Sequence, residues 1–159
     1  MKKIQLTQGK IALVDDEDFD DLNQYKWFAV KSRNTFYAER HAPSNHSKKI
    51  KMHRYIMQTP DGLEVDHKDH NGLNCQKDNM RNCTNRQNQM NRQLYRHSTS
   101  GYKGVSWQKT CGKWMAYIWL NNKQKNLGRF VLIEDAAHAY NEAAKEFFRD
   151  FACLNTIGE

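Results

Sequence analysis

Residues 64–91 read EVDHKDHNGLNCQKDNMRNCTNRQNQMN, and this stretch decides the fold around it. Leu63, Val65 and His67 alternate with charged residues, which predicts a short strand. His70-Asn71-Gly72 is a turn signal. Thr84 with Gln87 three residues later has the form of a capping box and predicts a helix start. Asn88 then lies about one turn in, with Asn85, Asn88 and Gln89 near one face. Asp66 and His67 are followed by Asn79, twelve residues after the His, and by Asn88 nine residues later.

A carboxylate, an imidazole and a carboxamide can together form a one-metal site for phosphodiester hydrolysis. Carboxylate and amide oxygens suit a hard divalent cation, and a neighbouring imidazole can deprotonate water. The stretch resembles the His-Asn-His (HNH) nuclease motif, in the Asn-ended variant of phage and intron-encoded homing endonucleases. The resemblance implies a β-hairpin followed by a helix. Carried over residue by residue, it makes Asp66 a metal ligand, His67 the general base, Asn79 the brace of the hairpin loop and Asn88 the second metal ligand. It implies magnesium, with manganese as the substitute. His70 has no role in the motif and stays a turn residue.

Working outward, charge points to a polyanion. The chain has 159 residues and a formal net charge of +7. From Asn79 to Ile133 there is no Asp or Glu, while ten Lys or Arg fall in that interval: Arg81, Arg86, Arg92, Arg96, Lys103, Lys109, Lys113, Lys123, Lys125 and Arg129. Phosphate contacts by such residues release counterions and supply sequence-independent affinity. Double-stranded DNA is the expected partner of a monomer, with strand nicking and double-strand cleavage both open; a monomer with one such site would cut one strand per binding event. Mean hydropathy is −0.96, and no apolar run approaches a membrane span. MKKIQLTQGK lacks the apolar region of a secretory signal. The expected location is the cytoplasm of a bacterial host, with the gene carried by a phage or intron. Cys75, Cys83, Cys111 and Cys153 form no Cys-x-x-Cys pair, so neither a disulfide framework nor a structural zinc is expected. A mixed site of His67, His70, Cys75 and Cys83 can be drawn, but its spacing matches no common zinc pattern.

Residues 1–50 read as a small β-rich module. Lys10–Asp15 and Phe36–Ala42 look like strands, and Pro43–Lys49 like a loop. The acidic run from Asp15 to Asp21 reads as a short helical turn with a solvated face. Residues 50–58, IKMHRYIMQ, predict a helix stopped by Pro60. There His53 reads as a packing or phosphate contact, and Arg54 equally as a phosphate contact or an exposed helix Arg. The nuclease module is expected over 51–94 and a linker over 95–100.

Residues 101–159 form a last module. Trp114, Ala116, Ile118 and Leu120 alternate with Lys113, Met115, Tyr117 and Trp119, as on the two faces of a strand. Asn121-Asn122 marks a hairpin turn. Ala136, Tyr140, Ala143 and Phe147 make a helical stripe. Tyr102-Lys103-Gly104-Val105, Gly112-Lys113-Trp114, Leu127-Gly128-Arg129-Phe130, the alanine-rich helix and Leu154-Asn155 resemble the plant ethylene-response-factor (APETALA-two type) DNA-binding domain. That resemblance implies a three-stranded antiparallel sheet backed by one helix, with the sheet in the DNA major groove. Lys103 keeps a basic residue at a contact position, whereas Ser106, Gln108 and Trp119 stand where the plant domain uses Arg. Trp107, Tyr117 and Trp119 are candidate contacts to thymine methyls. Lys109, Lys113, Lys123 and Lys125, with Arg81 and Arg86 of the motif, are candidate phosphate contacts.

The expected class is α+β, and the expected activity is metal-dependent DNA endonuclease of the homing type. The alternative is a DNA-binding regulator with a vestigial site.

Overall fold

The computed structural model describes every residue except Arg33, Ser44, Tyr95, Arg96 and Glu159. The start of the expected linker, Tyr95 and Arg96, therefore lies outside the described residues. The fold is α+β and divides into two compact units, Met1–Asn88 and Gln89–Glu159. No helix among the described residues is long and apolar enough to cross a membrane.

In the first unit, β1 (Lys2–Gln5) and β2 (Ile11–Val14) pair antiparallel and lead into α1 (Asp16–Leu22). A three-stranded antiparallel sheet follows, of β3 (Phe28–Ser32), β4 (Thr35–Ala42) and β5 (Asn45–Lys51). Then come α2 (Met52–Ile56), the hairpin of β6 (Glu64–His67) and β7 (Met80–Cys83), and α3 (Asn85–Met90). One core joins these pieces: Val14 from β2, Leu22 from α1, Ala38 from β4, Met52 from α2, and Leu73, Cys75 and Met80 from the hairpin. Each fully buried large side chain there is worth about 1.5–3 kcal/mol relative to exposure. The position expected to divide the first two modules, near residue 50, lies within β5, and the core runs across it.

Two expectations for this unit need correction. Pro43–Lys49 was expected as a loop, yet Asn45–Lys51 is a strand paired with β4 through Arg40–Ile50 and His41–Lys49. It is an edge strand with nearly every side chain in water, so it has no apolar alternation to betray it. The helix expected over 50–58 is confined to Met52–Ile56, because Ile50 and Lys51 are held in the β5 ladder.

Backbone and charge tie the hairpin loop to the N-terminal strands. Leu13 N–H donates to the Leu73 carbonyl and Cys75 N–H to the Leu13 carbonyl, both at 2.8 Å. Asp15 accepts from Lys77 N–H at 2.7 Å, and Lys77 Nζ reaches Glu17 and Asp18. The acidic run thus anchors the loop as well as facing water. Gly72 lies so close to β4 that a Cβ there would stand 2.5 Å from the Phe36 carbonyl and from the Tyr37 ring.

In the second unit, β8 (Val105–Gln108), β9 (Lys113–Leu120) and β10 (Lys123–Phe130) form an antiparallel sheet in the order β10-β9-β8. α4 (Ile133–Phe148) packs Ala136, Tyr140 and Ala144 on Ala116 and Ile118. Asn121 and Asn122 both take positive φ, 51° and 61°, the backbone of a type I′ hairpin turn. Gly104 has φ +71°, and a Cβ there would meet the Tyr140 ring at 2.1 Å. Asn155 clasps the unit: its Oδ1 accepts from Lys103 N–H at 2.6 Å, and its backbone pairs with the Asn141 side chain.

Candidate active site

The β6–β7 register sets the site. Asp66 stands opposite Arg81 and His67 opposite Met80, and directly opposed residues share a face. Arg81 Nε and Nη2 accordingly donate to Asp66 Oδ2 at 2.8 and 2.7 Å. Arg81, expected on phosphate, is engaged with the candidate metal ligand instead. Asp66 is buried, at 4% exposure.

His67 is the next residue in the strand, so its side chain leaves on the other face. Its ring lies 5.8 Å from Tyr37 and 5.3 Å, edge-on, from His53. Burial pushes the His67 imidazole below its ordinary range, against the pull of Asp69 and Asp66. It is therefore neutral near pH 7, the form in which an imidazole can accept a proton. His53 is also buried, with its Nδ1 enclosed and hydrogen-bonded to nothing among the described residues. Its pKa is pushed down to about 3 by burial, then by His67, Lys51 and Arg54. Tyr37 was not singled out from sequence, and His53, read there as a packing or phosphate contact, packs against the rings of Tyr37 and His67. Nothing in their spacing marks them, because β4 and α2 reach His67 only through the tertiary fold.

Asn79 holds the loop. Its Oδ1 accepts from Asp69 N–H at 3.1 Å, and its Nδ2 donates to Asp69 Oδ1 at 2.9 Å and to the Asn74 carbonyl at 2.8 Å. Burial would raise the Asp69 pKa, but hydrogen bonds from Asn74, Asn71 and Asn79 and the charge of His67 bring it below its usual value.

The capping box forms as its sequence implies. Thr84 N–H donates to Gln87 Oε1 at 2.9 Å and Gln87 N–H to Thr84 Oγ1 at 3.3 Å. α3 so begun turns Asn85 and Asn88 toward Glu64: Asn85 Nδ2 donates to Oε1 at 2.8 Å and Asn88 Nδ2 to Oε2 at 2.7 Å. These bonds, Asn88 first, hold the Glu64 carboxyl below the usual range. Glu64 and Asp66 are two apart in β6 and share a face, so Asn88 is tied to the face that carries Asp66. The donor set suits a hard divalent cation: one carboxylate, and one carboxamide whose nitrogen is spent on Glu64, leaving its oxygen as the ligating end. Among the described residues no three His, Cys, Asp or Glu side chains gather as a metal cluster. Cys75 is buried in the core, and burial pushes its thiol up to about 12.

The other candidate contacts scatter more widely. The Arg54 guanidinium donates to the carbonyls of Leu63, Thr59 and Pro60, fastening the entry to β6. Lys103 Nζ donates to the carbonyls of Met90 and Arg92. Arg86 is exposed on α3, and Lys109 follows β8 in an exposed turn. The sheet register divides the remainder. Lys113, Met115, Tyr117 and Trp119 lie on the face away from α4, joined there by Ser106, Gln108, Gln124, Asn126 and Arg129. Trp107 pairs with Trp114 and packs against it at 5.0 Å, on the helix side. Lys123 and Lys125 pair with Leu120 and Ile118 on that same side, and Lys125 Nζ sits 4.4 Å over the Phe147 ring. The candidate contacts of this sheet thus divide between two faces, and Arg129 is a further basic residue on the face away from α4.

Residues 58–90 match the model of a family described as HNH endonuclease. Over 156 residues the chain is 30% identical to an uncharacterized HNH endonuclease of Acanthamoeba polyphaga mimivirus, covering 94% of this chain and 77% of that protein. It is 34% identical over 93 residues to Protein 3.8 of Escherichia phage T7, covering 58% of this chain and 76% of that one. A shorter likeness, 40% over 52 residues, is to an AP2-like ethylene-responsive transcription factor of Arabidopsis thaliana, covering 33% of this chain and 11% of that protein. No solved structure matches the chain.

Proposed function

The chain belongs to the HNH endonuclease family, and on that premise we propose that it hydrolyses DNA phosphodiester bonds at Asp66, His67 and Asn88. The observation that carries this reading is the join between strand and helix. Asp66 and Glu64 share a face of β6, and Glu64 holds Asn88 beside it. A divalent cation, magnesium in this reading, would supply Lewis-acid stabilisation of the scissile phosphate and the departing 3′-oxygen. Asp66 and Asn88 would hold it through oxygen. His67, kept neutral by burial, takes the proton of the attacking water. Asn79 keeps the loop after His67 in one conformation through its bonds to Asp69 and Asn74. The face of the second unit bearing Lys113, Tyr117, Trp119 and Arg129 supplies DNA affinity in this proposal. That role draws support from the likeness of residues in this unit to the plant domain, and the homing type from the resemblance of the motif.

The test is nicking of supercoiled plasmid by the full chain with magnesium, with a chelator, and after His67→Ala. Magnesium-dependent relaxation that the chelator and the substitution both abolish is the expected result. Tight duplex binding with no cleavage under any divalent metal would favour the regulator reading.

A further inference from the structure

Glu64 has no role in the motif, yet it accepts hydrogen bonds from the carboxamides of both Asn85 and Asn88 of α3. We propose that Glu64 is a positioning residue that fixes which end of the Asn88 carboxamide faces the cation. The inference rests on the reading of Asn88 as a metal ligand and adds to it the device that aims the ligand.

A carboxylate only accepts hydrogen bonds. Across the 2.7 Å contact to Oε2, Asn88 must therefore present Nδ2. Exchanging the amide ends would set Oδ1 against a carboxylate oxygen. The carbonyl oxygen is thereby sent to the opposite side, where it can serve as a ligand. The carboxylate is itself held in place: its other oxygen accepts from Asn85 at 2.8 Å, three residues back on the same helix face. Glu64 also stands two residues before Asp66 in β6. The group that orients one ligand is thus rigidly connected to the other. Magnesium demands nearly ideal octahedral geometry, and the partners that orient metal ligands typically contribute 10- to 100-fold in metal affinity.

The experiment uses the full chain. Glu64→Gln keeps size and shape, but its carboxamide can offer either end to Asn88 and so no longer dictates orientation. The concentration of magnesium giving half-maximal nicking should rise about 10- to 100-fold, with the rate at saturating magnesium largely restored. Binding of Mn²⁺ in the absence of DNA, read by electron paramagnetic resonance, should weaken to a similar degree. Asn88→Asp in the parent places a second carboxylate against Glu64 and should lose metal binding. The same change in a Glu64→Gln background meets an amide donor, and Mn²⁺ binding should return. Thermal melting of each variant is read alongside, so that recovered Mn²⁺ binding is separated from recovered fold once the repulsion between the two carboxylates is relieved. The proposal is overturned if Glu64→Gln keeps the parent's magnesium and manganese titrations while Asn88→Ala loses them, or if the double variant binds no better than Asn88→Asp alone. If Asn88→Ala itself titrates like the parent, the metal-ligand reading fails first, and this inference goes with it.

Discussion

Acid should unfold the first unit through His53, and the size of the effect can be worked out. Replacing His53 by Phe keeps a ring of similar shape against Tyr37 and His67, whose centroids lie 5.1 and 5.3 Å away, and removes the titrating nitrogens. In the folded chain the His53 pKa is about 3, while its ordinary value is 6.5. Between those two values the unfolded chain binds a proton that the folded chain refuses. Stability from this group is therefore complete above about pH 6.5 and falls as pH drops toward 3. At pH 4.5 the penalty is RT ln(1 + 10²), about 3 kcal/mol. For a unit of this size that corresponds to roughly 10–20 °C in melting temperature.

The assay is calorimetric melting of parent and His53→Phe at pH 8 and pH 4.5. The parent should lose about 3 kcal/mol more than the variant on acidification. Carboxylates and the other histidines titrate in both proteins and largely cancel in that difference. Parallel losses within about 1 kcal/mol would refute the reasoning. So would a His53 ring resonance titrating near its ordinary value.

Three further outcomes follow from the site and the sheet. His67→Ala should reduce nicking by about 10²–10⁴-fold while duplex affinity, read by fluorescence anisotropy, stays near the parent's. Asn79→Ala removes three side-chain hydrogen bonds in a half-exposed loop and should lower stability by about 1–3 kcal/mol in urea unfolding, an unchanged midpoint being the contrary result. Lys113→Ala and Arg129→Ala, on the open sheet face, should each flatten the salt dependence of duplex binding by about 0.9 in log–log slope. Lys125→Ala, on the helix side, should leave that slope alone, and equal effects from all three would undo the division of faces.

What the sequence made legible is what local pattern determines. Leu63, Val65 and His67 announce β6 because a half-buried strand has period two. Thr84 and Gln87 announce α3 because a cap is a contact between residues three apart. β5 was illegible because its exposed side chains leave no apolar period. The Asp66–Arg81 pair depends on a cross-strand register that the turn at residues 68–79 sets, and no single residue of that turn declares it. Trp107, Lys125 and Trp119 stand together as candidate DNA contacts in sequence with no face assigned to them, for a related reason. Alternation within one strand is visible in sequence, but which residues of β8 and β10 share a face with it requires the pairing itself. His53 and Tyr37 reach His67 from separate elements, and only the packed unit reveals them.

The motif also needs more than its own thirty or so residues. The β6–β7 hairpin and a six-residue α3 are too small to bury a core by themselves. Leu73, Cys75 and Met80 from the hairpin loop and β7 pack among Ile4, Val14 and Leu22. Leu13 closes the loop with two backbone bonds, and Asp15 and Glu17 hold Lys77 from the same end. The loop so fixed carries Asn74 and Asn79, and through Asp69 these set the chain that leaves His67. The geometry at His67 is therefore decided partly by β2 and α1, elements with no chemical group at the site. A family model confined to residues 58–90 covers the proposed catalytic groups with β6 and β7 and leaves out β2 and α1, which fasten the loop between them. The longer likeness, running over 156 residues, covers both, as a site built on a shared core requires.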